Sequence, residues 1–194
     1  MNEFNNDIYL IKEHGGFIKI SSHYDIIDPQ TGKLIIECKE TQAGVFSKFL
    51  KLGRHKKNAP FNIIFYNAKG QKLISIKKGF SIIRSKIEVR DENEKVIGYV
   101  RQRLLRIGGK LDVLNTSKEL VFSIEGNWIG WEFNYKRDNI EIARITKKWT
   151  GIGKEFLTTS DNYIIELQAL ETKNPELRKL ILASAVCVDL VLKE

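Results

Sequence analysis

Hydrophobic and polar positions follow two rhythms along this chain. Between Tyr24 and Leu167 apolar residues tend to alternate with polar ones, as in Ile87 and Val89 against Glu88 and Arg90, or Ile140 and Ile142 against Glu141. A period of two sends successive side chains to opposite faces of a strand, so one face is dry and the other wet. From Leu180 to Leu192 the alternation stops and apolar residues run almost unbroken. A helix of that composition is apolar around its whole circumference and has to be enclosed.

Turn residues divide the alternating part into hairpins. Tyr24 to Lys39 turns at Asp28, Pro29 and Gly32; Phe61 to Lys77 at Asn67 to Gly70; Lys86 to Arg101 at Asp91 to Glu94; Lys110 to Ile124 at Asn115 to Lys118; and Trp131 to Lys147 at Arg137 to Asn139. These are the residue types that tolerate tight turns between β-branched runs. After several turns a charged residue reopens the strand, as in Lys33-Leu34-Ile35, Lys72-Leu73-Ile74, Lys95-Val96-Ile97 and Glu119-Leu120-Val121. Phe156 to Thr159 and Tyr163 to Leu167 read as two more strands, for ten to twelve antiparallel strands in all. A sheet of that width tends to curl, and closing it removes the edges that would template aggregation.

The terminal segment carries its own boundaries. Asn174 suits the N-cap, Pro175 the first helical position and Glu176 the first turn, with Lys193 near the carbonyl end. Its apolar run of 13 residues, Leu180 to Leu192, is shorter than the roughly 18 to 20 needed to span a bilayer and contains Asp189. The expected architecture is therefore mainly β: a closed antiparallel β-barrel of about 12 strands enclosing a hydrophobic C-terminal helix at about 174–192, in a single domain across residues 1–194. At about 1.5 Å per residue such a helix is long enough to fill a barrel.

Composition narrows the setting. An apolar content of 42% excludes a disordered chain, and only three prolines occur, with no linker-like run. The opening MNEFNNDIYL lacks the basic-then-apolar order of a secretory signal, which leads to the expectation of a cytoplasmic protein, peripheral at a membrane if it binds one. Cys38 and Cys187 are too few for a disulfide framework or a zinc site and read as reduced core residues. The aromatic residues Trp128, Trp131 and Trp149 sit among alternating neighbours and read as core.

Charge changes the picture more. Between Glu40 and Glu88 there is no acid, while 11 bases occur there: Lys48, Lys51, Arg54, Lys56, Lys57, Lys69, Lys72, Lys77, Lys78, Arg84 and Lys86. The remaining 21 bases face 24 acids, so the formal charge of +8 is the sum of +11 in this block and −3 elsewhere. Within the block, Lys48, Lys51, Arg54, Lys56 and Lys57 are interleaved with Phe46, Phe49, Leu50 and Leu52. That mixture suits docking on an anionic membrane, where each base contributes about 1 kcal/mol. A connection folded back on the barrel with solvated lysines gives the same sequence. Arg101 and Arg103 share a strand face and, with Arg106 and Lys110, form a second basic run that extends the first. Nucleic acid is disfavoured as a partner, because stacking aromatics do not alternate along the basic stretch.

Enzymatic chemistry finds little support. His14, His23 and His55 show no metal-ligand spacing, and no GxSxG, P-loop or GxGxxG occurs. Asp189 within an apolar helix is expected to reach the barrel mouth or pair with a base rather than act as a catalytic acid. No enzyme, no cofactor and no metal are expected.

Three stretches together carry a family resemblance. Ile124-Glu125-Gly126-Asn127-Trp128-Ile129-Gly130-Trp131, then Ala143-Arg144-Ile145-Thr146-Lys147-Lys148-Trp149 with Gly151, then Phe156 and Thr158 leading to Asp161-Asn162-Tyr163 and an apolar terminal helix, resemble the phospholipid scramblase and LURP-one-related proteins. These belong to the Tubby C-terminal-like superfamily, and the resemblance covers roughly Tyr24 onward. It implies a twelve-stranded barrel around a hydrophobic helix and a membrane-linked role: lipid movement for scramblases, phosphoinositide binding for Tubby domains. The sequence departs from scramblases in showing neither a long proline-rich leader nor a cysteine cluster suited to acylation. The acidic loop proposed to bind calcium in scramblases is also altered, with Thr159, Leu170 and Thr172 where aspartates tend to stand. Three functional readings follow: a module binding anionic lipid or phosphoinositide headgroups, a lipid transporter whose last helix inserts, and a nucleic-acid-binding adaptor.

Overall fold

Twelve strands take up the alternating segments in a computed structural model that describes residues 3–14, 22–41, 59–79, 86–103, 110–127, 130–148 and 162–192. They are β1 (Ile8–Glu13), β2 (His23–Ile27), β3 (Leu34–Glu40), β4 (Phe61–Asn67), β5 (Lys72–Lys78), β6 (Lys86–Asp91), β7 (Val96–Gln102), β8 (Lys110–Leu114), β9 (Leu120–Asn127), β10 (Glu132–Arg137), β11 (Ile140–Thr146) and β12 (Asn162–Leu167). Each pairs antiparallel with its neighbour in sequence, and β1 pairs with β12, with Ile8 opposite Glu166 and Ile11 opposite Tyr163. The sheet is thereby a closed barrel without a free edge. The Phe156–Thr159 segment lies outside the described residues.

The five expected turns all form, and three share one construction. Asn67, Asp91 and Asn115 stand at equal intervals of 24 (91 less 67, 115 less 91), and each accepts a backbone hydrogen bond from the residue three places on: Gly70, Glu94 and Lys118. The side chain of each turn-opening residue reinforces it: Oδ1 of Asn67, Asp91 and Asn115 accepts from the amides of Gln71, Lys95 and Glu119. The fourth residue is left-handed in all three, with φ of 75° at Gly70, 64° at Glu94 and 67° at Lys118. Asp138 and Asn139 also have positive φ, the geometry that lets a two-residue loop follow the twist of a hairpin. Because strands alternate in direction, these tight turns all lie on one rim. Connections between β3 and β4, β5 and β6, β7 and β8, and β11 and β12 leave from the other.

The helix α1 (Pro175–Leu192) enters at the tight-turn rim and runs through the barrel. Asn174 caps it as its side chain predicts, with Oδ1 accepting from the Glu176 amide at 2.9 Å; Lys193 lies outside the described residues. Every residue from Ile181 to Val188 is fully buried, on all sides of the helix. Around them point Tyr9, Tyr24, Ile63, Phe65, Ile76, Phe122, Phe133, Tyr135 and Tyr163, one inward set drawn from the strands. Burying each such apolar side chain contributes roughly 1.5–3 kcal/mol, so helix and wall are each other's core. Ser184 satisfies its hydroxyl within the helix, donating to the Ile181 carbonyl at 2.8 Å.

The helix packs closely where the wall offers no side chain. A Cβ on Gly98 would lie 2.7 Å from Leu180 Cδ2 and 2.8 Å from the Leu114 carbonyl oxygen, both inside contact distance. Gly98→Ala is expected to lower stability by about 1–3 kcal/mol through overpacking, and the thermal midpoint by roughly 2–4 °C per kcal/mol. Circular dichroism melting checks this, and an unchanged midpoint contradicts the close approach.

Candidate anion-binding surface

The outer face of β6 to β8 assembles the second basic run into a definite geometry. Tyr99 and Arg101 lie on the same face of β7, Lys86 stands opposite Arg101 on β6, and Asp112 stands opposite Arg101 on β8. Asp112 is only 2% exposed at its side chain, yet it faces outward, because two guanidinium groups cover it. Arg101 Nη2 donates to Asp112 Oδ2 at 3.1 Å, and Arg103 Nε lies 2.9 Å from Oδ2 and 2.8 Å from Oδ1. The buried carboxylate raises the Arg103 pKa further, chiefly through this hydrogen bond. Lys86 Nζ sits 3.8 Å from the centre of the Tyr99 ring, a cation–π contact that holds it on the same face.

Two guanidiniums thus cover one carboxylate, and with Lys86 on the other side of β7 the face carries a net charge of +2. The guanidiniums remain half exposed, at 46% and 42%, and a guanidinium engaged on one edge still offers donors on the other. A phosphate or carboxylate approaching from solvent meets planar donors already oriented by Asp112. Nearby charges cancel in pairs: Arg90 with Glu88, and Lys110 with Glu125, whose carboxyl is held below the usual range chiefly by that lysine. Lys72 pairs with Glu94 and likewise lowers its carboxyl pKa, so part of the acid-free block is neutralised by the next strands.

Of the basic residues singled out by sequence, Arg101 and Arg103 are brought together here. Lys48, Lys51, Arg54, Lys56 and Lys57 lie outside the described residues; the strand ends they connect, Glu40 of β3 and Phe61 of β4, are on the rim where β7 ends. Sequence reading passed over Asp112, which organises the pair. Its signal was a lone acid between apolar residues Leu111 and Val113 on a strand whose opposite partner is basic.

The expected core residues take up core positions. Both thiols are fully buried, and burial pushes them well above their ordinary pKa. Trp131 packs on the core, stacked on Tyr163 at 5.4 Å and with Lys147 Nζ over its ring at 4.1 Å from the centre; Trp128 and Trp149 lie outside the described residues. Asp189 is buried near the far end of α1 and accepts a hydrogen bond from the Tyr24 hydroxyl at 2.9 Å. Burial first, and the Asp189 charge second, push the Tyr24 and Tyr163 phenols well above 10.

The altered acidic loop does not fit a calcium ion among its described residues. Asn162 to Leu167 is strand β12, with Tyr163, Ile164 and Ile165 fully buried; Thr172 donates its hydroxyl to the Gln168 carbonyl, and Glu171 pairs with Arg137. Hard cations need about six to eight converging oxygens, and these groups are committed elsewhere.

An antiparallel meander closed on itself and plugged by its own following helix defines a distinct class of barrel protein. The chain matches the profile of the Scramblase family over residues 18–193 and belongs to that family. Among solved structures, it is similar to the X-ray structure of a protein from Arabidopsis thaliana, at 12% identity and a TM-score of 0.55, covering 100% of this chain and 97% of that one. That likeness concerns the fold. A comparison with curated proteins finds no match.

Proposed function

We propose that this protein is a non-enzymatic binding module for anionic lipid headgroups, phosphoinositides included, acting at a membrane surface. The observation that carries the reading is the pair of half-exposed guanidiniums, Arg101 and Arg103, pre-oriented on buried Asp112 with Lys86 beside them. They lie towards the rim that joins β3 to β4, the connection holding Lys48, Lys51, Arg54, Lys56 and Lys57. Family membership supports a lipid-related role, and the barrel supplies a rigid platform for it.

The transporter reading, with an inserted C-terminal helix, asks α1 to leave the barrel and expose its own face and the inner wall together. Among the described residues no helix is long and apolar enough to cross a membrane. Surface binding requires no such rearrangement.

The test separates docking from solvation. Replacing Lys51, Arg54, Lys56 and Lys57 with glutamine changes folding stability by at most about 0.5 kcal/mol per site. At about 1 kcal/mol per base, reduced to a quarter or a half by salt and imperfect contact, affinity for vesicles rich in anionic lipid falls roughly five- to thirtyfold. Wild-type binding falls as salt rises. Equal sedimentation with such vesicles of the wild type, this variant and an Arg101→Gln/Arg103→Gln variant removes the proposal, and transbilayer movement of a labelled lipid in reconstituted vesicles favours the transporter instead.

A further inference from the structure

Strand pairing brings His14 and His23 together although nine positions separate them. The His14 amide donates to the His23 carbonyl at 2.9 Å where β1 and β2 meet, and the two imidazoles pack with centres 4.4 Å apart. Both turn Nε2 toward acids. His14 Nε2 is 2.8 Å from Asp25 Oδ2, while His23 Nε2 is 3.7 Å from Asp25 Oδ1 and 3.2 Å from Glu37 Oε1. Asp25 and Glu37 are direct cross-strand partners on β2 and β3.

We propose that His14, His23 and Asp25, with Glu37 beside them, form a binding site for a divalent first-row transition-metal ion of the zinc type. The separations around His14, His23 and Asp25 are of the size that a tetrahedral metal site requires. Bonds of about 2.0–2.1 Å to nitrogen and oxygen place tetrahedral ligands about 3.3 Å apart, and the three separations above straddle that value. The donor atoms of His14, His23 and Asp25 all lie within 4.8 Å of one another, the one such group of three or more among the described residues.

Two further features favour an ion over plain hydrogen bonding. His23 Nε2 is shut off from solvent without a hydrogen bond of good geometry, although two carboxylates face it, so the nitrogen is aimed into the cluster with no partner of its own. Glu37, held by Lys39 at 2.7 Å through its other oxygen, turns Oε1 toward the same His23 nitrogen and adds an acceptor on that side of the cluster. Two imidazoles and one carboxylate select a borderline ion such as zinc over calcium or magnesium, which want oxygens alone. All four side chains are partly exposed, which gives the ion a path in. Bound there, it ties β1, β2 and β3 together next to the strand that closes the barrel.

Calorimetric titration of the full-length chain, freed of metal by a chelator, is expected to show one zinc ion per chain, and cobalt(II) to give the visible absorption of a tetrahedral site. Zinc at a hundredfold excess over its Kd raises the thermal midpoint by roughly 5–10 °C, and calcium or magnesium leaves it unchanged. His14→Gln and His23→Gln each weaken zinc binding at least about tenfold, and His55→Gln leaves it intact. Asp25→Asn, which keeps the shape of the side chain, also weakens it and serves if a histidine variant fails to fold. Absence of micromolar zinc binding, or binding that survives these substitutions or is lost with His55, overturns the site.

Discussion

Leu182→Asp abolishes the cooperative unfolding transition. Leu182 sits in the fully buried stretch of α1, among side chains contributed by the barrel wall. An unpaired carboxylate there costs several kcal/mol beyond the lost apolar burial, against a total stability of roughly 5–15 kcal/mol for a domain. Ending the chain after Thr172 acts more severely still, because it removes the contents of the barrel and leaves an inner wall of tyrosine, phenylalanine and isoleucine facing nothing. Near-ultraviolet circular dichroism and solubility report both outcomes. Leu182→Met keeps volume and polarity and is expected to retain the transition with less than about 1.5 kcal/mol lost. A soluble truncated chain with the wild-type thermal midpoint excludes the central-helix architecture.

Arg178→Met lowers stability by about 3–5 kcal/mol. Arg178 lies in the first turns of α1, 7% exposed, and its guanidinium gathers four acceptors: the Thr172 carbonyl at 2.6 Å, the Phe4 carbonyl at 3.0 Å, the Asn6 carbonyl at 2.8 Å and Asp7 Oδ1 at 2.5 Å. It thereby fastens the segment leading into β1 to the start of the helix. Methionine fills similar space but takes the guanidinium donors away from these carbonyls, each lost bond costing about 1–3 kcal/mol in part offset by relaxation. Asp7 is half exposed, so Asp7→Asn is expected to lose only about 1 kcal/mol or less. Urea denaturation of the two variants separates the roles: equal losses mean that the ion pair, not the carbonyl cluster, holds the strap. Hydrogen exchange should speed up first in β1 and β12, the pair that closes the barrel.

The turns and the helix were legible because each rests on local chemistry. Asn67, Asp91 and Asn115 announce turns by what an amide or carboxylate does to its own backbone, and Asn174 and Pro175 announce a helix in the same way. β1 was not read as a strand, and its pattern explains why. Tyr9, Leu10 and Ile11 are consecutive and all fully buried, because Leu10 belongs to a second cluster with Ile27 and Ile164 on the opposite face from Tyr9 and Ile11. With both faces dry, the alternation that marks the other strands disappears. The candidate sites depend on partners across strands. Asp112 gains its role from Arg101 opposite it, and His14 meets His23 and Asp25 only through the β1–β2 register. Within one strand, the His23-x-Asp25 spacing was the single local trace of that cluster, since residues two apart share a face.

Closure of the barrel between β1 and β12 has a bearing on synthesis. The first strand finds its second partner only after the other eleven have been made, and the helix that fills the interior is translated later still. Until then the growing chain carries two open sheet edges and an apolar inner surface with nothing against it, the state in which strands most readily pair with those of other chains. Pairing between Ile8 and Glu166 also closes a very long loop, which slows folding after release from the ribosome. A nascent chain of this design therefore depends on being shielded until its last turns of helix emerge, and a stalled or shortened copy is an aggregation hazard rather than a smaller folded protein.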